Sequence, residues 1–316
     1  MKELLRLIKN AENVAILGHM SEDADSVGSS FAMQRVFSLM GKSADVYFSA
    51  PLEKRLGFMN VSGKCSAKAE CEYDLCLCLD CADIERLGER KAIFDSAKKT
   101  ASVDHHITNT NFADANFVLP DASATGEVLF DVIKKLGVKI DKELAECLFI
   151  AIASDTGSFK YSNVSPKTLR IAAELLETGI DNAYISRMLF DTEDEKSMKL
   201  KGALMSSVET MFDGKLAMIC VDIDKLKEYD VEEKDLSDIV NIARMVAGCE
   251  IAVSVRELED KVKLSFRSNG KYDVGSLAQK FGGGGHKMAS GASSDVLTFA
   301  EMKKKVIDIC GELFND

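Results

Sequence analysis

The four histidines of this chain stand in segments whose residue types could do chemistry. Residues 19–25 run His-Met-Ser-Glu-Asp-Ala-Asp, and residues 104–106 are Asp-His-His. The fourth histidine, His286, ends a run of four glycines. Imidazole and carboxylate groups together are ligands for divalent metals. A glycine loop beside a histidine suits a phosphate group instead.

Four aspartates are candidates for a metal site. Asp23 and Asp25 lie in one loop and can reach two different ions, while Asp80 follows an apolar run and is placed to bridge them. Asp155 is a fourth acidic candidate. Two divalent ions about 3.5–4 Å apart recur in phosphate ester hydrolysis, where they share a hydroxide and offset phosphoryl charge. Mixed imidazole and carboxylate ligands favour Mn²⁺, Fe²⁺, Co²⁺ or Zn²⁺ over Mg²⁺.

Each aspartate also has an ordinary structural explanation. Asp25 could cap the helix that follows it, and Asp80 and Asp104 could be turn residues at strand ends. Their combination with three histidines in two segments favours the two-metal interpretation.

The elements predicted around these residues bring them together. Apolar runs at 14–17, 44–48, 75–79 and 100–103 predict strands, and amphipathic stretches predict helices at 26–40, 125–136, 142–153 and 166–177. Three of the strands run into His19, Asp80 and Asp104. The carboxyl ends of parallel strands form one crevice, so we expect these residues to converge there.

The sequence pattern changes at a charged stretch that begins at Asp191. We predict an α/β domain over 1–190, a linker over 191–206 and a smaller α+β domain over 207–316. The second domain is expected to contain a strand at 216–221, a hairpin from 251–256 and 261–267, and a short helix at 274–281.

The glycine loop of the second domain is a candidate anion site. Gly282, Gly283, Gly284 and Gly285 leave backbone N–H groups open to a close approach. His286 adds an imidazole hydrogen-bond donor, and Arg267 on the preceding strand could bind a phosphate or stack on a base. The alternative is a flexible linker, which the flanking apolar residues disfavour.

Composition excludes several classes of protein. The net charge of −11 and the lack of a basic block argue against a protein that grips long duplex DNA. No apolar run reaches the roughly 18–20 residues of a membrane helix, and no signal peptide is evident, so we expect a cytoplasmic protein. Cys78 and Cys81 form a C-x-x-C motif, which could indicate a zinc or redox site. No second cysteine pair stands at a matching spacing, so a buried strand is the favoured interpretation.

Taken together, the Asp-His-His triplet, the acidic loop after His19, Asp80, Asp155 and the Gly-Gly-Gly-Gly-His run resemble the DHH phosphoesterase superfamily. The most similar type has two domains, degrades nanoRNA and dephosphorylates 3′-phosphoadenosine 5′-phosphate (pAp). The resemblance covers nearly the whole chain. It implies an α/β fold with a parallel-sheet DHH metal domain, followed by a smaller α+β DHH-associated substrate-binding domain.

The resemblance also implies a site with two divalent ions, with Mn²⁺ expected. Asp80 would bridge the ions, Asp104 would orient the histidine pair, and His106 would contact the scissile phosphate or the leaving oxygen. The far end of the substrate would be held by Arg267, the glycine loop and His286, so that the second domain measures substrate length. The implied metal ligands are His19, Asp23, Asp25, Asp80, His105 and Asp155.

The chain departs from the family's first motif at two positions. Glu22 and Ala24 stand where the family usually has proline and glycine. Neither is a ligand position, so metal binding is expected to survive, although Glu22 could repel an anionic substrate or alter the metal preference.

The expected activity is therefore metal-dependent hydrolysis of short oligoribonucleotides, such as nanoRNA and pApA, and of pAp. Two alternatives stay open: a cyclic-di-AMP phosphodiesterase on the same scaffold, and a nucleotide-binding sensor that has lost catalysis. The filled ligand positions weigh against the sensor. The expected partners are short RNA or nucleotide substrates and a second copy of the chain in a homodimer.

Overall fold

The computed structural model describes residues 1–49, 51–52, 54–232, 236 and 239–315. The chain divides into two compact units, Met1–Thr192 and Glu193–Asp316. Each has its own sheet and its own buried apolar clusters.

The first unit is built on a five-stranded sheet in the order β2-β1-β3-β4-β5, in which every neighbouring pair is parallel. Both faces are covered, and β3, with the sequence LCLCL, is buried along its whole length. The predicted parallel α/β sheet is confirmed. Strand β5 was not predicted, because its four residues, ANFV, show neither a long apolar run nor alternation. The strands are β1 Asn13–Leu17, β2 Ser43–Tyr47, β3 Leu75–Leu79, β4 Thr100–Asp104 and β5 Ala115–Val118.

The helices of the first unit start at recognisable caps. The Asp23 side chain accepts a hydrogen bond from Ser26 N (3.0 Å), so Asp23, rather than Asp25, caps α2. Two 3₁₀ helices, Lys54–Met59 and Ile84–Arg90, follow β2 and β3. The α-helices are α1 Lys2–Asn10, α2 Ala24–Leu39, α3 Lys91–Ser96, α4 Thr125–Leu136, α5 Lys142–Asp155, α6 Pro166–Leu176 and α7 Asn182–Phe190.

Two glycines let α2 and α4 pack closely against α5. A Cβ added to Gly28 of α2 would lie 2.6 Å from the carbonyl oxygen of Cys147, and one added to Gly126 of α4 would lie 2.6 Å from the Cβ of Ala151. These separations are shorter than real Cβ contacts, so larger side chains would push the helices apart. The close packing brings the first turns of α2 and α4 near the last turn of α5.

The second unit contains a six-stranded sheet in the order β10-β11-β9-β8-β7-β6. β7 and β8 are parallel and the other pairs are antiparallel, which confirms the predicted β8–β9 hairpin and the mixed α+β character. The strands are β6 Glu209–Met211, β7 Leu216–Val221, β8 Ile251–Glu257, β9 Val262–Ser268, β10 Gly284–Gly285 and β11 Ala289–Ser294, and the helices are α8 Glu195–Ser206, α9 Ile223–Tyr229, α10 Val240–Arg244, α11 Val274–Gln279 and α12 Phe299–Asn315.

The segment 191–206, which we expected to be a linker, is mostly helical. Asp194 caps α8, and Leu200 and Leu204 of this helix are fully buried against the second unit's core. Two leucines four residues apart mark one apolar helix face, but the surrounding charges hid that signal. The division between the units falls between Thr192 and Glu193.

Two further observations bear on the class of protein. Among the described residues, no helix is both long and apolar enough to cross a membrane. All nine cysteines are free, and Cys78 and Cys81 are buried in the first unit. The candidate metal-ligand groups found in the described part of the chain contain histidine and aspartate but no cysteine.

Candidate metal centre

The predicted ligands of the first unit converge at the carboxyl ends of three adjacent strands. β1 leads to His19, β3 leads to Asp80, and β4 ends at Asp104, directly before the histidine pair. This edge is where the strand order reverses, which is the usual ligand site of an open parallel sheet. Asp80 has a left-handed backbone (φ 56°), a conformation that is strained for a residue with a side chain and that concentrates at functional sites.

Asp80 is the centre of the cluster. Its Oδ2 lies 3.6 Å from His19 Nε2. Its Oδ1 lies 3.7 Å from His105 Nε2 and 3.7 Å from His106 Nδ1. The two oxygens of one buried carboxylate therefore face different imidazoles, an arrangement that suits a carboxylate bridging two ions through its two oxygens.

One group of potential ligand atoms surrounds His19. The imidazole Nε2 lies 3.6 Å from Asp23 Oδ2 as well as from Asp80, and the three residues offer ligand atoms within 4.8 Å of one another. His19 Nδ1 faces the backbone oxygen of Met20 at 2.7 Å. A hydrogen bond from Nδ1 to a carbonyl oxygen directs Nε2 at the carboxylates, which is the arrangement typical of metal-binding histidines.

The second group is built around His105. Its Nε2 lies 3.2 Å from Asp155 Oδ2 and 3.9 Å from Asp25 Oδ2, and its Nδ1 lies 3.2 Å from the Ala122 carbonyl oxygen. These three residues form a compact set of ligand atoms. Asp155 is the last residue of α5, two residues beyond the predicted end of that helix.

Asp25 and Asp104 are each held by three hydrogen bonds. Asp25 accepts from Thr125 N (2.7 Å), Gly126 N (3.0 Å) and Ser29 Oγ (3.0 Å). Three donors likewise surround the Asp104 carboxylate: His105 N at 2.8 Å, His106 Nδ1 at 2.7 Å and Asn109 Nδ2 at 2.7 Å. Both carboxylates are fully buried, so they are fixed in place.

The electrostatics show how much negative charge is concentrated here. Burial, followed by the charges of Asp80 and Asp155, raises the pKa of Asp25 well above its usual range. Burial and the charges of Asp23 and Asp80 outweigh a hydrogen bond with His105 and raise the pKa of Asp155 to about 6. Such repulsion is relieved when cations share the carboxylates.

The imidazoles respond in the opposite direction. Burial lowers the pKa of His19, but hydrogen bonds and charges from Asp23 and Asp80 raise it to about 11. In the same way, Asp155 and Asp25 overcome the effect of burial and raise the pKa of His105 to about 10. Without metal the histidines therefore act as the cations of the cluster. This set of donors fits divalent ions, whose binding would displace those protons.

Glu22 does not face the cluster as an unpaired charge. Its carboxylate is buried, lies 2.7 Å from Arg90 Nη1, and accepts hydrogen bonds from Ser49 N (2.7 Å) and Ser49 Oγ (2.8 Å). Arg90 neutralises it, so the expected repulsion of an anionic substrate by Glu22 does not fit this geometry. Glu22 instead ties the acidic loop to the end of β2 and to the 3₁₀ helix after β3.

Sequence reasoning missed three residues whose side chains donate hydrogen bonds to the predicted site residues Asp25, Asp80 and Asp104. These are Thr125, Ser29 and Asn109. Ser29 lies one helical turn after Asp25, and that spacing was a usable signal. Thr125 could not be placed at the site, because the strand before it, β5, had not been predicted.

The predicted substrate-binding residues lie together in the second unit. Arg267 on β9 is paired with Ala289 on β11, and Ala289 exchanges backbone hydrogen bonds with His286. The structure therefore brings Arg267 and the glycine-histidine loop to one end of the sheet, where His286 is exposed.

Part of the glycine run has a structural explanation. A Cβ on Gly283 would lie 2.1 Å from the Gly291 oxygen, and one on Gly285 would lie 2.6 Å from Ser290 Cα. A Cβ on Gly284, by contrast, would meet nothing within 4 Å. The tight β10–β11 hairpin thus requires glycine at 283 and 285 whatever the loop binds, while position 284 stays open.

Two family descriptions and several known proteins match the chain. Residues 13–152 match the DHH family, N-terminal domain, and residues 213–312 match the DHHA1 domain. The bifunctional oligoribonuclease and PAP phosphatase NrnA of Thermus thermophilus is 31% identical, over 99% of this chain and 94% of that protein. The cyclic-di-AMP phosphodiesterase PdeA of Listeria monocytogenes is 25% identical over 96% of this chain, which spans only 48% of PdeA. Among solved structures, an exopolyphosphatase-related protein from Bacteroides fragilis superposes with a TM-score of 0.93 at 26% identity, covering 100% of this chain and 97% of that one.

Proposed function

The chain belongs to the DHH family of phosphoesterases, and on that basis we propose that it hydrolyses short oligoribonucleotides and pAp with the help of two divalent metal ions. The substrate proposal is supported by the relative from Thermus thermophilus, which matches over almost the full length of both chains. Mn²⁺ is the proposed metal, since the ligand set mixes imidazole with carboxylate.

The observation that carries this proposal is the division of the Asp80 carboxylate between two groups of ligands. Its Oδ2 faces His19 and its Oδ1 faces His105. When bound, the two ions would activate water for attack and offset the charge of the phosphoryl oxygens. We assign one ion to His19, Asp23 and Asp80, and the other to Asp25, Asp80, His105 and Asp155.

His106 is the proposed contact to the reacting phosphate. Asp104 accepts a hydrogen bond from His106 Nδ1 at 2.7 Å. Burial lowers the pKa of His106, but the hydrogen bond with Asp104 and the charges of Asp80 and Asp104 raise this pKa above its usual value. A protonated imidazole held in one orientation can donate its Nε2 proton to a phosphoryl oxygen or to the leaving oxygen. Asp104 acts through this imidazole rather than on the substrate.

The second unit is proposed to hold the nucleotide end that does not react. Arg267 can form two parallel hydrogen bonds to a phosphate, and His286 with the loop Gly282–Gly285 lies at the same end of its sheet. A short substrate with a terminal phosphate offers the group that these residues would bind, whereas the net charge of −11 offers little attraction to a long strand.

A second candidate substrate is cyclic-di-AMP, favoured by the likeness to PdeA. It is the weaker candidate, because this chain spans about half of that relative. The two substrates share the scissile phosphodiester, so the metal ligands do not separate them.

The test is the release of phosphate and nucleotide from four substrates in the presence of Mn²⁺: pApA, pAp, cyclic-di-AMP and a 24-mer RNA. We expect rapid cleavage of pApA and pAp while the 24-mer stays nearly intact. Asp80→Asn is the inactive control, and Asp95→Asn, which alters an exposed carboxylate of α3, is the matched neutral control. Fastest turnover of cyclic-di-AMP would favour the second candidate, and no turnover of any substrate would refute the enzyme proposal in favour of a nucleotide sensor.

We also propose that the chain forms a homodimer. Leu169 and Leu176 are exposed and lie seven residues apart on α6, so they share one helix face. Light scattering should give twice the chain mass of 34.5 kDa, and a lower mass for Leu169→Glu. A wild-type mass of one chain would contradict the proposal.

A further inference from the structure

Thr125, the first residue of α4, touches two of the proposed metal ligands at once. It is fully buried. Its hydroxyl donates to Asp80 Oδ1 at 3.0 Å, and its backbone N–H donates to Asp25 Oδ2 at 2.7 Å.

A bridging carboxylate needs such a contact. The terminal torsion of aspartate is broad and roughly two-fold, so it does not by itself fix the direction of each oxygen. In Asp80, Oδ2 has to face His19 while Oδ1 faces His105. Rotation of the carboxylate away from this orientation would turn both oxygens from their ions together. The Thr125 hydroxyl is the one uncharged side-chain donor that the structure gives Asp80 among the described residues.

Thr125 is itself held firmly. Its β-branched side chain has few rotamers in a helix. Glu127 fixes the turn that precedes Thr125, because its carboxylate accepts hydrogen bonds from Ser123 Oγ and Thr168 Oγ1, each at 2.7 Å. The residue after it, Gly126, packs α4 against α5. The Thr125 hydroxyl therefore keeps its position and can hold the Asp80 carboxylate in one orientation.

We propose that Thr125 is a positioning residue that fixes the rotation of the Asp80 carboxylate, so that its two oxygens serve two ions. The proposal rests on the two-metal function proposed above and adds to it a residue that is not a ligand. The start of α4 then holds two of the proposed ligands. The Thr125 and Gly126 amides donate to Asp25, and the Thr125 hydroxyl donates to Asp80.

The test compares Thr125→Val, which keeps the shape and removes the hydroxyl, with Thr125→Ser, which keeps the hydroxyl. Titration of metal-free protein with Mn²⁺ should show the weaker of two binding steps weakened by about 10- to 100-fold in Thr125→Val. Thr125→Ser should stay within about threefold of wild type, because its donor is retained. The electron paramagnetic resonance spectrum of a spin-coupled Mn²⁺ pair should appear at two equivalents in wild type and Thr125→Ser, and should be replaced by isolated Mn²⁺ signals in Thr125→Val.

Thr178→Val is the matched control. The Thr178 hydroxyl donates to the Leu175 backbone oxygen at the end of α6, away from the cluster, so this variant should bind Mn²⁺ like wild type. Unchanged two-step binding in Thr125→Val would overturn the proposal. Equal losses in Thr125→Ser and Thr125→Val would also overturn it, since they would show that shape rather than the hydroxyl matters. If Thr125→Val does not fold, the comparison of Thr125→Ser with Thr125→Ala decides in the same way.

This test is separable from the proposed activity. Mn²⁺ binding is measured without substrate, so wild-type protein that binds two ions but cleaves no nucleotide would refute the proposed function and leave the role of Thr125 intact. In variants that do turn over substrate, kcat should fall in Thr125→Val while KM stays near the wild-type value.

Discussion

Replacing Gly28 by alanine should separate α2 from α5 and so loosen the metal centre. The new Cβ would lie 2.6 Å from the Cys147 oxygen, about 0.8 Å inside the 3.4 Å at which ordinary contact begins. Overpacking of this kind costs about 1–3 kcal/mol, and the better helix propensity of alanine returns about 1 kcal/mol. We therefore expect a net loss of up to about 2 kcal/mol, which lowers the Tm of a unit of this size by up to roughly 4–8 °C.

The consequence for the site follows from where α2 begins. Asp25 lies one helical turn before Gly28 and depends on the start of α4 for two of its three hydrogen bonds. A shift of α2 by a few tenths of an ångström would lengthen those bonds. The Gly28→Ala variant should therefore bind Mn²⁺ about tenfold more weakly in titration calorimetry, beyond its loss of thermal stability.

Gly202→Ala provides the control with the same chemical change. Gly202 lies in the interior of α8, where an added Cβ would meet nothing within 4 Å. This variant should gain about 0.5–1 kcal/mol in the stability of the second unit and leave Mn²⁺ binding unchanged. The packing argument is refuted if Gly28→Ala melts at or above the wild-type temperature and binds Mn²⁺ with wild-type affinity.

Three further predictions address the bridging ligand, the second unit and the support of α4. Asp80→Asn should reduce turnover of pApA by at least about 10³-fold while far-ultraviolet circular dichroism stays native, since one oxygen of the bridge is lost; unchanged phosphate release would remove Asp80 from the bridging position. Arg267→Ala should raise KM for pApA at least tenfold and leave hydrolysis of bis(p-nitrophenyl) phosphate within twofold, because the small ester has no distal phosphate; equal losses on both would assign Arg267 a structural role. Burial raises the pKa of Glu127, but hydrogen bonds from Ser123 and Thr168 outweigh burial and keep this pKa below its usual value. The ionised Glu127 carboxylate therefore stabilises the folded state above the ordinary carboxyl pKa of about 4.5. This stabilisation is lost as the pH falls through the folded-state pKa. Glu127→Gln should accordingly cost about 1–3 kcal/mol in urea unfolding at pH 7, and the cost should shrink progressively as the pH is lowered below about 4.5. A cost that does not depend on pH would contradict this assignment.

The sequence predicts the sheet of the first unit and the convergence of its proposed metal ligands because both depend on local patterns. Short apolar runs mark β1, β3 and β4, and each is followed by the residue that reaches the site. The parallel arrangement then requires His19, Asp80 and the histidine pair to meet. Contacts that depend on tertiary packing were not visible in this way.

Two examples show what the pattern could not contain. The pairing of Glu22 with Arg90 joins residues 68 positions apart, and nothing in either segment indicates the other. The hydroxyl contact from Thr125 to Asp80 depends on the position of β5, whose four residues carry too weak a pattern to predict. Such long-range contacts determine how the proposed ligands are held, whereas the local motifs determine which residues are candidates for ligands.

The central claim is that Asp80 bridges two metal ions, and anomalous diffraction from crystals grown with Mn²⁺ tests it most directly. We predict two anomalous peaks about 3.5–4 Å apart, one beside Asp80 Oδ2 and His19 and the other beside Asp80 Oδ1 and His105. A single peak, or two peaks of which neither touches Asp80, would contradict the account.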